Sequence, residues 1–255
     1  MLDPNNPPSP PTIMVMMPCY GGKVFLETLE SLLQLQREAL ENGIDILYHF
    51  NDKCSLISLG RSIMACNVYK TDDTWTHMLW IDADVGFTMD DVWKLLIADK
   101  DIVGGMYPFK RFPIEWTSAP YPMTGGKHEG DNLVQTDYVA TGFMLIKREA
   151  YAKMHDQFKD ELKFRYWDQD FVHLFEPIID KDRDNLYLSE DYAFCKRAAS
   201  AGLEAWVRND VRLTHTGSTV YSEEEQELMF SRLHNSLVKG SVSKNPPLSV
   251  TLKPQ

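Results

Sequence analysis

The chain has 255 residues, 44% of them hydrophobic and 11% aromatic, enough for the core of one sizeable α/β domain or two small ones and too much for global disorder. Lys and Arg number 26 against 37 Asp and Glu, a net charge of −11 that excludes general adhesion to nucleic acid or anionic membrane, so a polyanionic ligand has to be met locally. No apolar run reaches the ~18 residues of a membrane span, the start lacks the n- and h-regions of a signal peptide, and Cys19, Cys54, Cys66 and Cys195 stand far apart without a CxxC, so a soluble chain in a reducing, cytoplasmic setting is expected.

Residues 1–12, with five prolines and two asparagines, read as an extended tail. Ile13–Met17 is a short apolar run ended by Pro18, the pattern of a strand covered on both faces. After the loop Cys19-Tyr20-Gly21-Gly22, leucines 26, 29, 32, 33 and 40 recur at helical spacing and Gly43 supplies the stop. Ile44–Phe50 predicts a second strand, Asn51-Asp52-Lys53 a polar loop, and Ser58–Tyr69 a second helix. His77–Ile81 is a third apolar strand running into Asp82-Ala83-Asp84, and Thr88 with Asp91 marks a capping-box start for a helix towards Ile97. Asp101–Val103 predicts a fourth strand closed by a Gly104-Gly105 turn. This alternation predicts an α/β fold, an open, mostly parallel sheet with helices on both faces that binds ligands beyond the carboxyl ends of its strands.

The second half is less regular. It reads as a loop-rich stretch over 107–131, a strand at Gly142–Ile146, a helix over Lys147–Met154 and an irregular acidic and aromatic loop to about Asn185. A helix capped by Ser189 runs to Ala201 and stops at Gly202, strands follow at Glu204–Val207 and Val211–Thr214, and Ser222–Leu237 forms a last helix. The division predicted is one domain over 13–240, with halves at 13–105 and 106–240 and a tail at 241–255.

The chemistry concentrates in Asp82-Ala83-Asp84. On an extended chain residues i and i+2 point the same way, so two carboxylates at the ligand edge of the sheet form a donor set for a hard divalent cation. His215 follows an apolar strand and precedes Gly217, where a turn returns it to the same edge. Glu190 and Asp191 open a helix, a placement the helix dipole favours by itself. Gly104-Gly105 and Thr141-Gly142 read as turns that admit a sugar ring close to the backbone, with Lys110 or Arg111 near phosphate; solvated charges and plain tight turns are the other account of the same residues. Trp167, Asp168 and Asp170 in the irregular loop read as an acceptor side.

Met17-Pro18-Cys19-Tyr20, Asp82-Ala83-Asp84, Ala140-Thr141-Gly142-Phe143, Ser189-Glu190-Asp191 and His215-Thr216-Gly217, in this order, resemble a glycosyltransferase of the GT-A fold, closest to the short family-2-like enzymes of bacteria, phages and large viruses. The resemblance implies that Pro18, Cys19 and Tyr20 cradle the nucleotide base, that Asp52 meets base or ribose, and that Arg61 contacts the nucleotide. It implies Asp84 as a direct ligand of Mn²⁺ or Mg²⁺, Asp82 towards the ribose or a metal-bound water, His215 as a third ligand, and Asp191, with Glu190 beside it, as the base that takes the acceptor proton.

The function expected is metal-dependent transfer of a hexose from a nucleotide sugar, UDP-linked by preference, to a hydroxyl of a glycan, a protein or a modified base. Two enzyme alternatives fit less well. A haloacid-dehalogenase-like phosphatase carries its D-x-D-x-V motif after the first strand, not the third. A sugar-nucleotide pyrophosphorylase needs a glycine-rich basic loop after the first strand, which Cys19-Tyr20-Gly21-Gly22-Lys23 matches poorly. A non-catalytic carbohydrate-binding protein is the remaining alternative, against which the intact Asp82, Asp84, Asp191 and His215 argue.

Overall fold

The computed structural model describes residues 10–52, 54–118 and 127–240, with side chains described to residue 232. The expected tails therefore lie outside the described residues except for 10–12, as do Lys53 and part of the 107–131 stretch.

Strand β1 (Thr12–Pro18) shows why the fold is layered. Ile13, Val15 and Met17 enter one apolar cluster while Met14 and Met16 enter the other, the period of two that a strand buried on both faces requires. Helix α1 (Leu26–Glu41) leads to β2 (Asp45–Asn51), and α2 (Ile57–Thr71) leads to β3 (His77–Ile81). Both strands lie parallel to β1, one on each side. A two-residue strand β4 (Val85–Gly86) precedes α3 (Met89–Ala98), whose Thr88 and Asp91 form the expected reciprocal capping box. β5 (Ile102–Met106) completes the regular half.

The strands β6 (His128–Glu129), β7 (Leu133–Thr136) and β8 (Phe143–Lys147) follow, then α4 (Arg148–Phe158). The stretch read as irregular is two hairpins, β9 (Lys163–Tyr166) with β10 (Gln169–Val172) and β11 (Ile178–Asp180) with β12 (Leu186–Leu188). Helix α5 (Glu190–Ser200) leads to β13 (Ala205–Arg212), a single strand with an irregularity where two were expected. β14 (Thr214–Thr216), β15 (Val220–Tyr221) and α6 (Glu223–Gly240) close the chain.

The main sheet has the order β2-β1-β3-β8-β5-β13-β7-β6. It is mostly parallel in direction, as expected, with β8 and β7 reversed; β8 lies antiparallel between β3 and β5. Helices α1 and α3 pack on one face, and α2, α4 and α5 on the other. The Gly104-Gly105 turn is not formed, because β5 continues through both glycines. A Cβ at Gly104 would lie 2.3 Å from Val139 and one at Gly105 2.3 Å from Val211, so these glycines admit side chains of the core. The carboxyl ends of β1, β3 and β5 share one edge with the start of β8, and the small sheet β15-β14-β4 is built over it.

Candidate active site at the carboxyl edge

The chain turns immediately after β3, with Val85 N–H donating to the Asp82 carbonyl at 3.2 Å. The side-by-side display of Asp82 and Asp84 predicted for an extended chain is therefore replaced by two separate environments. Asp82 Oδ1 accepts from Arg61 Nη2 at 2.7 Å, whereas Asp84 meets Lys110 Nζ at 2.5 Å and His215 Nε2 at 3.3 Å.

Arg61, in the first turns of α2, is 2% exposed and lies over the Trp80 ring. Its Nε stands 3.6 Å from Glu190 Oε1, so one guanidinium joins the acid after β3 to the acid opening α5. Burial disfavours its charge, but Asp82 and then Glu190 outweigh this and hold its pKa above the ordinary arginine value. Arg61, expected to contact a nucleotide, is enclosed in this structure and meets the two carboxylates of Asp82 and Glu190.

His215 reaches Asp84 because β14 pairs with β4, placing His215 opposite Val85, and because Thr216 N–H donates to the Asp84 carbonyl at 2.8 Å. Its Nδ1 lies 2.7 Å from the Pro108 carbonyl, which can only accept, so Nδ1 carries the proton and Nε2 is the nitrogen turned to Asp84. Burial raises the Asp84 carboxyl, but the neighbouring His215 and Lys110 side chains overcome it and the pKa ends below the usual aspartate range. Among the described residues no three His, Cys, Asp or Glu side chains converge as a metal cluster. A charged carboxylate beside an oriented imidazole nevertheless fits a cation that takes its remaining ligands from a diphosphate. The Lys110 ammonium competes for the same carboxylate.

Glu190 and Asp191 occupy the first turn of α5, where Ser189 stands at the cap position without capping. Its hydroxyl donates to the Asp191 carboxylate instead of accepting from a helix N–H, and Tyr192 N–H donates to the same oxygen at 2.9 Å. Burial pushes both carboxyls above their ordinary values; for Glu190 the neighbouring Asp191 charge adds to this and Arg61 opposes it.

The predicted nucleotide loop lies beside this cluster. Cys19 N–H donates to the Asn51 carbonyl at 2.7 Å and Gly21 N–H to the Asp52 carbonyl at 3.3 Å, which places Pro18, Cys19, Tyr20 and Asp52 along one rim. Tyr20 is 71% exposed, but the Cys19 thiol turns inward, where burial first and then Asp52 and Asp82 raise its pKa to about 11. Gly105, expected on the ligand, is buried in β5 behind Val211 and is not part of the rim. Arg111 pairs with Glu115 away from the acids.

Tyr107 is the residue that sequence reasoning missed. It follows β5 directly, is 6% exposed, takes a hydrogen bond from Gly142 N–H at 3.1 Å and packs edge-on against the His215 ring. A Cβ on Gly142 would lie 2.5 Å from the Tyr107 ring, so this glycine admits an aromatic side chain, not a sugar. Position at a strand's carboxyl end was the available signal.

No family of known proteins matches the sequence, and no curated protein does. Solved structures similar to the chain include A197 from STIV, at 15% identity and TM-score 0.48 over 81% of this chain and 86% of that one. GalNAc-T7, solved with UDP, GalNAc and Mn²⁺, is similar at 10% identity and TM-score 0.47, over 84% of this chain and 44% of its own. A nucleoside-diphosphate-sugar pyrophosphorylase from Vibrio cholerae RC9 is similar at 10% identity and TM-score 0.40, over 78% and 92%. At these levels of similarity the chemistry is read from the side chains themselves.

Proposed function

We propose that the protein is a glycosyltransferase of GT-A architecture that moves a hexose from a nucleotide sugar, UDP-linked by preference, to an acceptor hydroxyl. The observation that carries this reading is the buried Arg61 bridge. It sets the acid after β3, hydrogen-bonded to Nη2 at 2.7 Å, and the acid opening α5, 3.6 Å from Nε, beside one guanidinium, so a donor-side and an acceptor-side carboxylate share one buried positive charge. The GT-A resemblance in the sequence and the UDP and Mn²⁺ of the GalNAc-T7 structure support the same donor chemistry.

In this reading Tyr20, Asp52 and the backbone of Pro18 and Cys19 bind the nucleoside, and Asp82, held by Arg61, takes the ribose. Asp84 and His215 Nε2 are the residues for Mn²⁺ or Mg²⁺. A bound divalent cation supplies neutralisation of the diphosphate and stabilises the charge that grows on it as the sugar–phosphate bond breaks. Lys110 brings a second positive charge to that place in a chain of net charge −11. Asp191 takes the proton from the acceptor hydroxyl; the oxygen forms its bond to the anomeric carbon while the sugar–phosphate bond breaks with its electron pair going to the nucleotide. Attack by the acceptor oxygen on the face opposite the departing diphosphate inverts the anomeric configuration. The acceptor is a glycan, a protein side chain or a modified base. Among the described residues no helix is long and apolar enough to cross a membrane, in keeping with a soluble, cytoplasmic enzyme.

Thermal stabilisation tests this. UDP at about a hundred times its Kd should raise Tm by roughly 5–10 °C with Mn²⁺ and by much less with EDTA, since only the folded state binds the complex. Equal shifts would remove the metal from the reading, and no shift with any of a panel of nucleotide sugars would remove the donor.

A further inference from the structure

The β9–β10 hairpin presents an unusual side chain at its tip. Tyr166 pairs with Gln169, leaving Trp167 and Asp168 as a two-residue turn. Trp167 has φ 52, the left-handed region that a two-residue hairpin normally fills with glycine at this first position. The strain belongs to one of the bulkiest side chains, and the indole gains no burial for it, being 84% exposed. Tyr166, 42% exposed, sets its ring edge-to-face against the indole, with centroids 6.4 Å apart.

Beneath these rings is an open cavity of about 350 Å³ lined by Asn67, Tyr166, Trp167, Asp168, Gln169 and Phe171. Its chemistry is mixed: aromatic faces alternate with two side-chain amides and a carboxylate, for which the structure records no protein partner among the described residues. Lys163 pairs with the Asp170 carboxylate at 2.7 Å and Lys70 with the Asp170 carbonyl, and Arg165 stands opposite Asp170 across the hairpin. None of these cations lines the cavity, which therefore offers an anion no positive partner. A pyranose matches the set, since its C–H face meets the negative face of an aromatic ring while its hydroxyls meet amides and a carboxylate.

We propose that the Trp167 hairpin is a binding platform for a neutral oligosaccharide, separate from the carboxyl-edge cluster. The hairpin lies along α2: Val172 N–H meets Cys66 Sγ at 3.3 Å, and Ser62 Oγ meets His173 Nδ1 at 2.9 Å. Asn67 follows Arg61 by six residues, about 9 Å along the helix. The platform is thus placed to hold a distal part of a glycan acceptor, an extension that rests on the glycosyl-transfer reading, whereas saccharide binding itself does not.

The test is titration calorimetry of the full chain with chitotetraose, cellotetraose, maltotetraose and mannotetraose, without nucleotide or metal. At least one should bind, with affinity reduced tenfold or more in Trp167→Gly and changed less than twofold in Asp84→Asn. Glycine suits the backbone here, so Trp167→Gly should keep Tm or raise it by about 1–3 °C while losing the sugar, a combination that a structural role for the indole does not produce. The proposal is overturned if no tetraose binds, if binding ignores Trp167→Gly, or if Trp167→Gly instead dissolves a dimer of the wild type. Tetraose binding without turnover of any nucleotide sugar would remove the transferase reading alone; UDP binding without tetraose binding would remove the platform alone.

Discussion

As the proposed base, Asp191 has to meet two demands that conflict. A base works best with its pKa raised towards the working pH, and the burial that raises it makes the charged form unfavourable in the folded chain. Asp191→Asn keeps the acceptor oxygen for Ser189 and Tyr192, so UDP affinity should survive while transfer falls about 10²–10⁴-fold in steady-state kinetics. In the wild type, transfer should decline on acidification through the raised values of the Glu190–Asp191 pair, since the base has to be ionised, and the residual activity of the variant should lack that limb. Stability follows the opposite sense. A carboxyl whose pKa is higher folded than unfolded stabilises the fold at low pH and loses that contribution as pH rises through the folded value. Asp191→Asn should therefore gain on the wild type at pH 7 and lose the advantage towards pH 4, which denaturant titrations at the two values will read. Lys110→Met belongs to the same scale. Freeing Asp84 of its ammonium should strengthen Mn²⁺ binding by about fivefold, followed by electron paramagnetic resonance, the equivalent of about 1 kcal/mol for a partly exposed pair.

Elements with strong local punctuation follow the sequence closely. Thr88 and Asp91 announce α3 before any tertiary contact is known, and Thr88→Ala should cost about 1 kcal/mol in chemical denaturation. The strand His77–Ile81 is equally plain, being a short apolar run between polar residues. The two hairpins over 163–188 were not legible because their strands are short and largely exposed, and the Trp167 turn has no glycine to mark it. Gly104-Gly105 was misread for the converse reason. Glycine is a turn signal unless a neighbour needs its space, and that neighbour, Val139 or Val211, is distant in sequence. Gly142→Ala tests such a clash at the site: its Cβ meets the Tyr107 ring, and overpacking should destabilise the protein by about 1–3 kcal/mol while shifting the ring against His215.

Across the whole molecule, the candidate site was legible as a set of residues and not as an arrangement. Asp84 and His215 do meet, but through the pairing of β14 with β4, a strand too short to leave a pattern. Asp82 and Glu190 are joined by Arg61, whose enclosure depends on the packing of α2 and α5 against β3 and has no local signature. A sequence names the acids; tertiary structure decides which share a partner.

The antiparallel strand β8 has a consequence for how the chain is made. Met78 pairs with Ile146 and Ile102 pairs with the same residue from the other side, so the sheet assembled from the first hundred residues has a gap that only a later segment fills. During synthesis β3 and β5 wait with open edges, a state prone to mispairing. Such non-local closure is slow by its nature, since chain entropy is lost before the contacts that reward it form. Nascent chains arrested short of Lys147 should be cut readily by protease at the ribosome, and those extended beyond Arg212, where β13 is also complete, should resist it. The strand that welds the two halves into one sheet thereby sets the moment at which either half can fold.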